Sequence, residues 1–506
     1  MILLKDIVHV PNEELRNLLL LFLTNENFEI IEKKVCELKC KGIIAQNSNI
    51  LNDIKTLILN FTDRFWAPII IEEYASLLNS SKKLSYRDFF LRKNLWQKKN
   101  GYIKNKYAYE LCFLKKLLQK EKSNFLLFFN RLFEDYLEIR SIFAIKEPLE
   151  KLSGNLSDRH GFGSVLELNF TDGRKIIYKP RSAINDLFLT EYIKILKLDT
   201  IYNIHIPKAI DKQKYSWYEF IEHTVCKRKS ELENFYRNSG AVLAVLDSLN
   251  YTDGHNENFI CATPFWYLID SETILTNLSY FSDKVDFFYG LEFTGIVQKL
   301  KSNELSISAL QFNNQISYMP VSPFVENDCT ENICLHYKTF RYTEKIKSYP
   351  KYQKLDIRKY ISFIQEGMKL TYKSIAESKV ELTNLFEKYK TILRLRQIHR
   401  HTIYYYWLLY KFYHPCNLSR NNFFYNNLKN YSDNIIQYEE KMLLNGDIPI
   451  FFHKPFQKHV YGLNKRLQNN YYQYTAAYWF NKKLNDIQHK EFINKRLQEI
   501  YELLAI

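Results

Sequence analysis

Apolar positions change their spacing along this chain, and the changes divide it into stretches of different character. Over residues 1–148 the pattern is helical. Leu15, Leu18, Leu19 and Phe22 share one face, and residues 109–137 repeat Leu and Phe every three or four positions, the spacing of an amphipathic helix. Near Gly154 the period drops to two. Residues 165–170 (VLELNF) alternate, Thr171, Asp172 and Gly173 form a turn signal, and residues 175–179 (KIIYK) continue as a strand. Asp-Gly supplies the positive φ of a tight turn, so this segment predicts a β-hairpin. A helix is predicted over about residues 185–196, then a second strand pair around residues 211–214 that ends in residues 215–221 (YSWYEFI). From Leu232 the pattern is again mainly helical, interrupted by a polar loop at residues 253–258 and a strand-like run at residues 265–269.

These stretches predict an α+β fold. Residues 1–148 form a helical cap or peptide-docking region, residues 149–225 a small β-rich lobe, and residues 226–506 a helical lobe, the outline of a kinase. At 506 residues the chain exceeds one ordinary core. Its 46% hydrophobic and 16% aromatic content excludes a disordered protein. The net charge of +15 favours an acidic partner. The cations are spread, densest at residues 226–229 and 394–401, with no zinc-finger or RNP-type motif beside them, so nucleic acid is not expected. None of the eight cysteines forms a CxxC pair; reduced thiols and no bound zinc are expected. The apolar run at residues 18–23 is far shorter than the roughly 20 residues of a membrane span. A cytoplasmic protein without a membrane span is the expectation.

Four motifs occur in kinase order. Residues 158–163 (DRHGFG) precede the hairpin and place two glycines where backbone amides could approach phosphates. Lys179 ends a predicted strand, where kinases place a point charge on nucleotide phosphates. Residues 253–258 (DGHNEN) set Asp253 five positions before Asn258. That is the catalytic-loop spacing in which the carboxylate orients or deprotonates a hydroxyl and the amide holds Mg²⁺. Asp270 follows an apolar strand, twelve residues after Asn258, where a second metal-binding carboxylate belongs. Singly, each motif is a turn or a surface charge as readily as a site. Order and spacing carry the inference.

The series DRHGFGSV, IIYKPRS, YSWYEFIE, FYRNSGAVLAVL, YTDGHNENFI and YLIDSET resembles the dehydratase domain of class II lanthipeptide synthetases, the LanM family. Downstream, RLRQIHRHTIYYYWLL and GDIPIF resemble that family's R-x-x-x-R-x-T-x-x-Y and G-D-I-P-Y-F segments, so the likeness covers about residues 150–460. The resemblance implies a lipid-kinase-like two-lobed core with helical N-terminal additions. It implies that Lys179, Asp253, His255, Asn258 and Asp270 serve ATP, Mg²⁺ and phosphoryl transfer, with the backbone near Glu219 as adenine hinge. His160, Arg396 and Thr402 match positions tied to phosphate elimination, and Asp158 lies beside the first. The implied substrate is a precursor peptide with an acidic leader, whose Ser and Thr are phosphorylated and then converted to dehydroamino acids. Ser157 stands where the family usually has Gly. No zinc-binding cyclase motif follows residue 460, so a separate cyclase or other maturation enzyme is the expected partner for ring formation. Two rival readings are a kinase that stops at the phosphorylated product and a non-catalytic scaffold presenting a precursor peptide.

Overall fold

The computed structural model describes residues 28–58, 105–154, 163–278, 285–299, 307–310, 316–326, 334–343, 347–350, 355–413, 417, 422–463 and 465–505. The apolar face at Leu15–Phe22 and the motif residues Ser157, Asp158 and His160 lie outside them. In chain order the principal helices are α1 (Glu29–Cys40), α2 (Ala108–Ile142), α3 (Ile184–Ile195), α4 (Lys229–Ser248), α5 (Ile361–Glu377), α6 (Lys379–Tyr389), α7 (Thr402–Tyr413), α8 (Asp433–Leu443), α9 (Ala476–Ile487) and α10 (Lys490–Leu504). The chain forms two compact units. One comprises Met1–Pro180, Tyr318–Phe340 and Arg400–Pro449; the other comprises Arg181–Ser317, Arg341–His399 and Ile450–Ile506.

In the first unit, β1 (Leu149–Ser153), β2 (Leu166–Phe170) and β3 (Lys175–Lys179) form an antiparallel meander. The expected hairpin is β2–β3, with Leu168 opposite Ile176 and Gly173 at φ +81° in the turn. The Asp172 carboxylate accepts from the amides of Lys146 and Arg174, which fixes that turn. The long helix predicted over residues 109–137 is α2. Its Arg131 donates to the Tyr178 hydroxyl at 2.5 Å and its Phe128 packs edge-on to the same ring. Phe113 and Leu117 of α2 also share a core with Tyr405, Leu408 and Phe412 of α7. Beneath α7 the Arg400 guanidinium forks onto the fully buried Glu439 at 2.8 and 3.2 Å, and the Tyr405 hydroxyl completes the group.

The second unit is built around α4. Residues 238–248 of this helix are all buried, polar ones included. Its closest neighbour, α5, crosses at glycines. A Cβ on Gly240 would stand 2.0 Å from the Ile364 carbonyl oxygen, and one on Gly367 would stand 2.0 Å from that of Arg237. Only hydrogen fits between the two backbones, and an Arg237–Glu366 ion pair (3.0 Å) flanks the crossing. Around it lie α3, α6, α9 and α10 in one continuous apolar cluster. Hairpin β4–β5 (Ala209–Asp211, Ser216–Glu219) falls where the second strand pair is predicted, and β7 (Phe265–Leu268) is the predicted strand-like run; its antiparallel partner β6 (Phe259–Ala262) is a strand the sequence pattern did not show.

Two further strand systems lie within the stretch from Leu232 whose apolar pattern is mainly helical. β8 (Ile316–Glu326) and β9 (Cys334–Thr343) form a two-stranded sheet. β10 (Leu395–Gln397), β11 (Phe451–His453), β12 (Val460–Tyr461) and β13 (Arg466–Gln468) form an antiparallel sheet in that order. The strands of this second sheet, two or three residues each, are too short to show a period.

Inside the second unit, Asp247 of α4 meets three partners. Its carboxylate accepts from Lys483 of α9 (2.8 Å), Arg496 of α10 (3.1 Å) and the Tyr372 hydroxyl of α5 (2.7 Å). All four groups are buried. Burial alone pushes the Asp247 carboxyl up, but Arg496 and Lys483 together hold it below the ordinary aspartate value. Asp247→Ala strands two cations in an apolar interior and should cost about 3–5 kcal/mol in a denaturant melt. Replacing Asp247, Lys483 and Arg496 together by apolar residues of similar volume should recover most of that loss. If the triple variant is as unstable as the single one, charge pairing is not what this cluster contributes.

Candidate functional site

The chain leaves α4 and turns through Asn250 (φ +45°) and Asp253 (φ +72°) into the loop at residues 253–258. Gly254 is dictated by a neighbouring segment. Its amide donates to the Thr294 carbonyl (2.8 Å), its own carbonyl accepts from the Ala309 amide (3.0 Å), and a Cβ here would stand 2.4 Å from the Thr294 oxygen. The loop ends in a short 3₁₀ turn, Asn256–Asn258, which leads into β6. Across the hairpin the Ile269 amide donates to the Asn258 carbonyl at 2.9 Å, so Asp270 follows directly beside Asn258.

Asp253, His255, Asn258 and Asp270 therefore occupy one corner of the second unit. The Asn258 side-chain amide reaches the Asp253 carbonyl at 2.9 Å and its carboxylate at 3.5 Å, and lies 3.3 Å from His255 Nε2. His255 Nε2 is 3.5 Å from the Asp253 carboxylate. Under them sits Tyr251, fully buried, with its hydroxyl 3.3 Å from the carbonyl oxygens of both Asp253 and Asp270. Burial raises the Asp253 carboxyl above its ordinary value, with His255 and Arg396 pulling the other way and Asp270 adding to the rise. Burial likewise lowers His255, which favours a neutral imidazole.

A chain of alternating charges runs from this corner. Asp270 pairs with Arg181 (3.1 Å), Arg181 with Glu272 (2.7 Å), and Glu272 with Arg396 (3.0 Å). The Arg396 amide also donates to the Glu272 carbonyl at 2.9 Å, so β10 is held there independently of the guanidinium. The first turn of α3 sets both ends of the chain. Asn185 brackets Arg394 by donating to its carbonyl (2.6 Å) and accepting from its amide (3.1 Å). Asp186 accepts from the Ser271 hydroxyl at 2.7 Å.

The structure thus brings Asp253, His255, Asn258, Asp270 and Arg396 together. Glu219 ends β5 in the same unit, its backbone amide and carboxylate bonded to Lys208. Lys179 ends β3 and Thr402 begins α7, both in the first unit. Asp158 and His160 lie outside the described residues. Sequence reasoning missed Arg181, Glu272 and Tyr251 as site residues. The only signal for them was adjacency: Arg181 two residues after Lys179, Glu272 two after Asp270, Tyr251 two before Asp253.

The donor set suits Mg²⁺ held with phosphate. The Asn258 NH₂ is turned to Asp253, which leaves the amide oxygen as the donor for a cation, and Asp270 adds a carboxylate. Among the described residues no cluster of three or more His, Cys, Asp or Glu is arranged to hold a metal on its own. No described helix is long and apolar enough to cross a membrane.

Residues 111–454 match a protein family described as "Domain of unknown function (DUF4135)". The chain is also 22% identical over 417 residues to the lacticin 481/lactococcin biosynthesis protein LcnDR2 of Lactococcus lactis subsp. lactis, covering 72% of this chain and 42% of that protein. It spans less than half the length of this curated relative.

The geometry fixes how His255 should titrate. Its ring should show a pKa below 6.5 by NMR, because burial disfavours the cation. Asp253 is the main group opposing that shift, so Asp253→Asn should move the value further down. An upward move on removing the carboxylate would contradict the contact.

Proposed function

Because the chain belongs to the DUF4135 family, found in LanM-type lanthipeptide synthetases, we propose that it is an ATP- and Mg²⁺-dependent peptide Ser/Thr dehydratase of lanthipeptide-like maturation. Its substrate is a precursor peptide, and its place of action is the cytoplasm. The observation that carries this reading is the Asp253–His255–Asn258–Asp270 corner with Arg396 joined to it through Glu272 and Arg181. A lipid-kinase-like, two-lobed core is part of the same proposal.

Bound Mg-ATP would supply the phosphoryl group, and in the second unit Asn258 and Asp270 are the residues that would hold its metal ion; a role for Lys179 toward the phosphates rests on the family resemblance alone. Asp253 orients the substrate hydroxyl and accepts its proton; its raised pKa makes it a better base than an ordinary aspartate. Neutral His255 lies beside the Asp253 carboxylate and steadies the loop. Phosphorylation turns hydroxide, a poor leaving group, into phosphate, a good one. In the second step a base removes the α-proton, the Cα–H electrons form the new double bond, and the Cβ–O bond breaks toward phosphate. Arg396 offers a fork of N–H donors to that departing anion. His160, Asp158 and Thr402 are assigned to this step on the family resemblance.

A second reading has one observation in its favour. Because Arg396 is linked through Glu272 and Arg181 to Asp270, it could serve phosphorylation instead, in a kinase that stops at the phosphopeptide.

Peptide mass after co-expression separates these readings. Asp253→Ala or Asn258→Ala should leave the peptide unmodified, since both act before the two steps divide; undiminished dehydration in either would remove the kinase assignment. Arg396→Ala should slow elimination by about 10²–10³-fold, so a phosphate-sized mass gain should replace the water loss of the wild type. Unmodified peptide from a folded Arg396→Ala variant would place this arginine in the first step.

A further inference from the structure

Between residues 448 and 485 the chain contains no Asp or Glu, although it has 56 elsewhere. The segment builds β11, β12, β13 and nearly all of α9, and it carries Lys454, Lys458, Lys465, Arg466, Lys482 and Lys483. The last two are matched internally, Lys482 by Asp486 and Lys483 by Asp247, both at 2.8 Å. Lys454, Lys458, Lys465 and Arg466 are exposed, and none forms an ion pair among the described residues.

These cations share a surface with aromatic rings. Tyr461 and Arg466 face each other across β12 and β13, and the Lys454 ammonium lies 5.3 Å from the Tyr461 ring centroid. Lys465 closes the turn by accepting from the Gly462 amide at 2.9 Å. The Ala477 amide donates to the Pro455 carbonyl at 2.9 Å, which brings the start of α9 against the turn that carries Lys454 and Phe456. Phe456 is 49% exposed and Tyr478 42% exposed; the latter stacks on Tyr474 at 4.3 Å. The acidic neighbour on α6, Glu387, is taken by Lys390.

We propose that this surface docks an acidic, extended segment of the peptide substrate. The inference rests on the proposed function in taking the substrate to be a peptide and, for the spacing below, in placing Arg396 at the reacting centre. Exposed cations with no carboxylate of their own set up a local positive potential that draws acidic side chains. The exposed rings add apolar area and faces for backbone and aliphatic contact. Position supports the same ligand. β13 is the outer strand of the sheet whose opposite outer strand, β10, carries Arg396. Four strands span roughly 15 Å at about 4.8 Å spacing, which an extended peptide crosses in roughly five residues. The docked acidic segment therefore lies at least about five residues from the residue being modified.

The test is fluorescence anisotropy with a labelled Glu-rich peptide, its Gln-for-Glu counterpart, a labelled single-stranded oligonucleotide, and phosphatidylglycerol vesicles. The wild type should bind the Glu-rich peptide more tightly than the Gln form. Lys454→Glu/Lys465→Glu/Arg466→Glu should weaken that binding by at least about tenfold, and the matching triple Gln variant should fall between. Unchanged affinity in both triple variants would overturn the proposal. So would a wild-type preference for the oligonucleotide or the vesicles that the variants abolish. Precursor modification, measured alongside, separates the two claims. If the wild type modifies its peptide while the variants bind normally, the docking surface alone falls. If the binding differences hold but no peptide is ever modified, the proposed function falls and the acidic-peptide surface stands.

Discussion

A buried carboxylate must be matched, and the second unit is arranged around that requirement. Asp247 lies on the most enclosed helix of the unit, and its partners come from three other helices, α5, α9 and α10. No local segment could supply all three, so the C-terminal helices are drawn onto α4 by charge as well as by apolar area. The loop with Asp253 begins only a few residues beyond Asp247. Whatever fixes the end of α4 also fixes where Asp253 starts.

The site obeys the same logic nearer the surface. Its acidic and basic groups alternate, so Arg181 touches both Asp270 and Glu272, while Glu272 touches both Arg181 and Arg396. Burial then sets the working character of the residues at the near end. It makes Asp253 more basic and His255 less so, opposite shifts from one cause, because desolvation penalises whichever form is charged. The polar first turn of α3 does the alignment, with Asn185 on the strand of Arg396 and Asp186 on Ser271, between Asp270 and Glu272.

How far the sequence disclosed this depended on whether a feature was local. The β2–β3 hairpin was legible because Asp172 and Gly173 encode the turn and the alternation on either side encodes the strands. Helix α2 was legible from its repeat of Leu and Phe. Asp253, Asn258 and Asp270 were legible because a loop and the next hairpin hold them close in sequence. Arg396 could be picked out only by likeness to a family, since more than a hundred residues separate it from Glu272. Glu272 and Arg181 stand within motifs, but pairing between distant segments leaves no periodic trace that would point to their role. The sheet β10–β13 is hidden for a related reason: its strands are too short to alternate visibly, and β10 finds its partner β11 far along the chain.

The glycine crossing of α4 and α5 constrains movement as well as packing. With a carbonyl oxygen occupying the space of each absent Cβ, neither helix can slide along the other without driving backbone into backbone. Translation is blocked in both directions, while a small rotation about the point of contact is not. The crossing is thus a pivot. A tilt of α4 about Gly240 and Gly367 would carry the Asp253 loop with it, and its reach grows with distance from that point along α4.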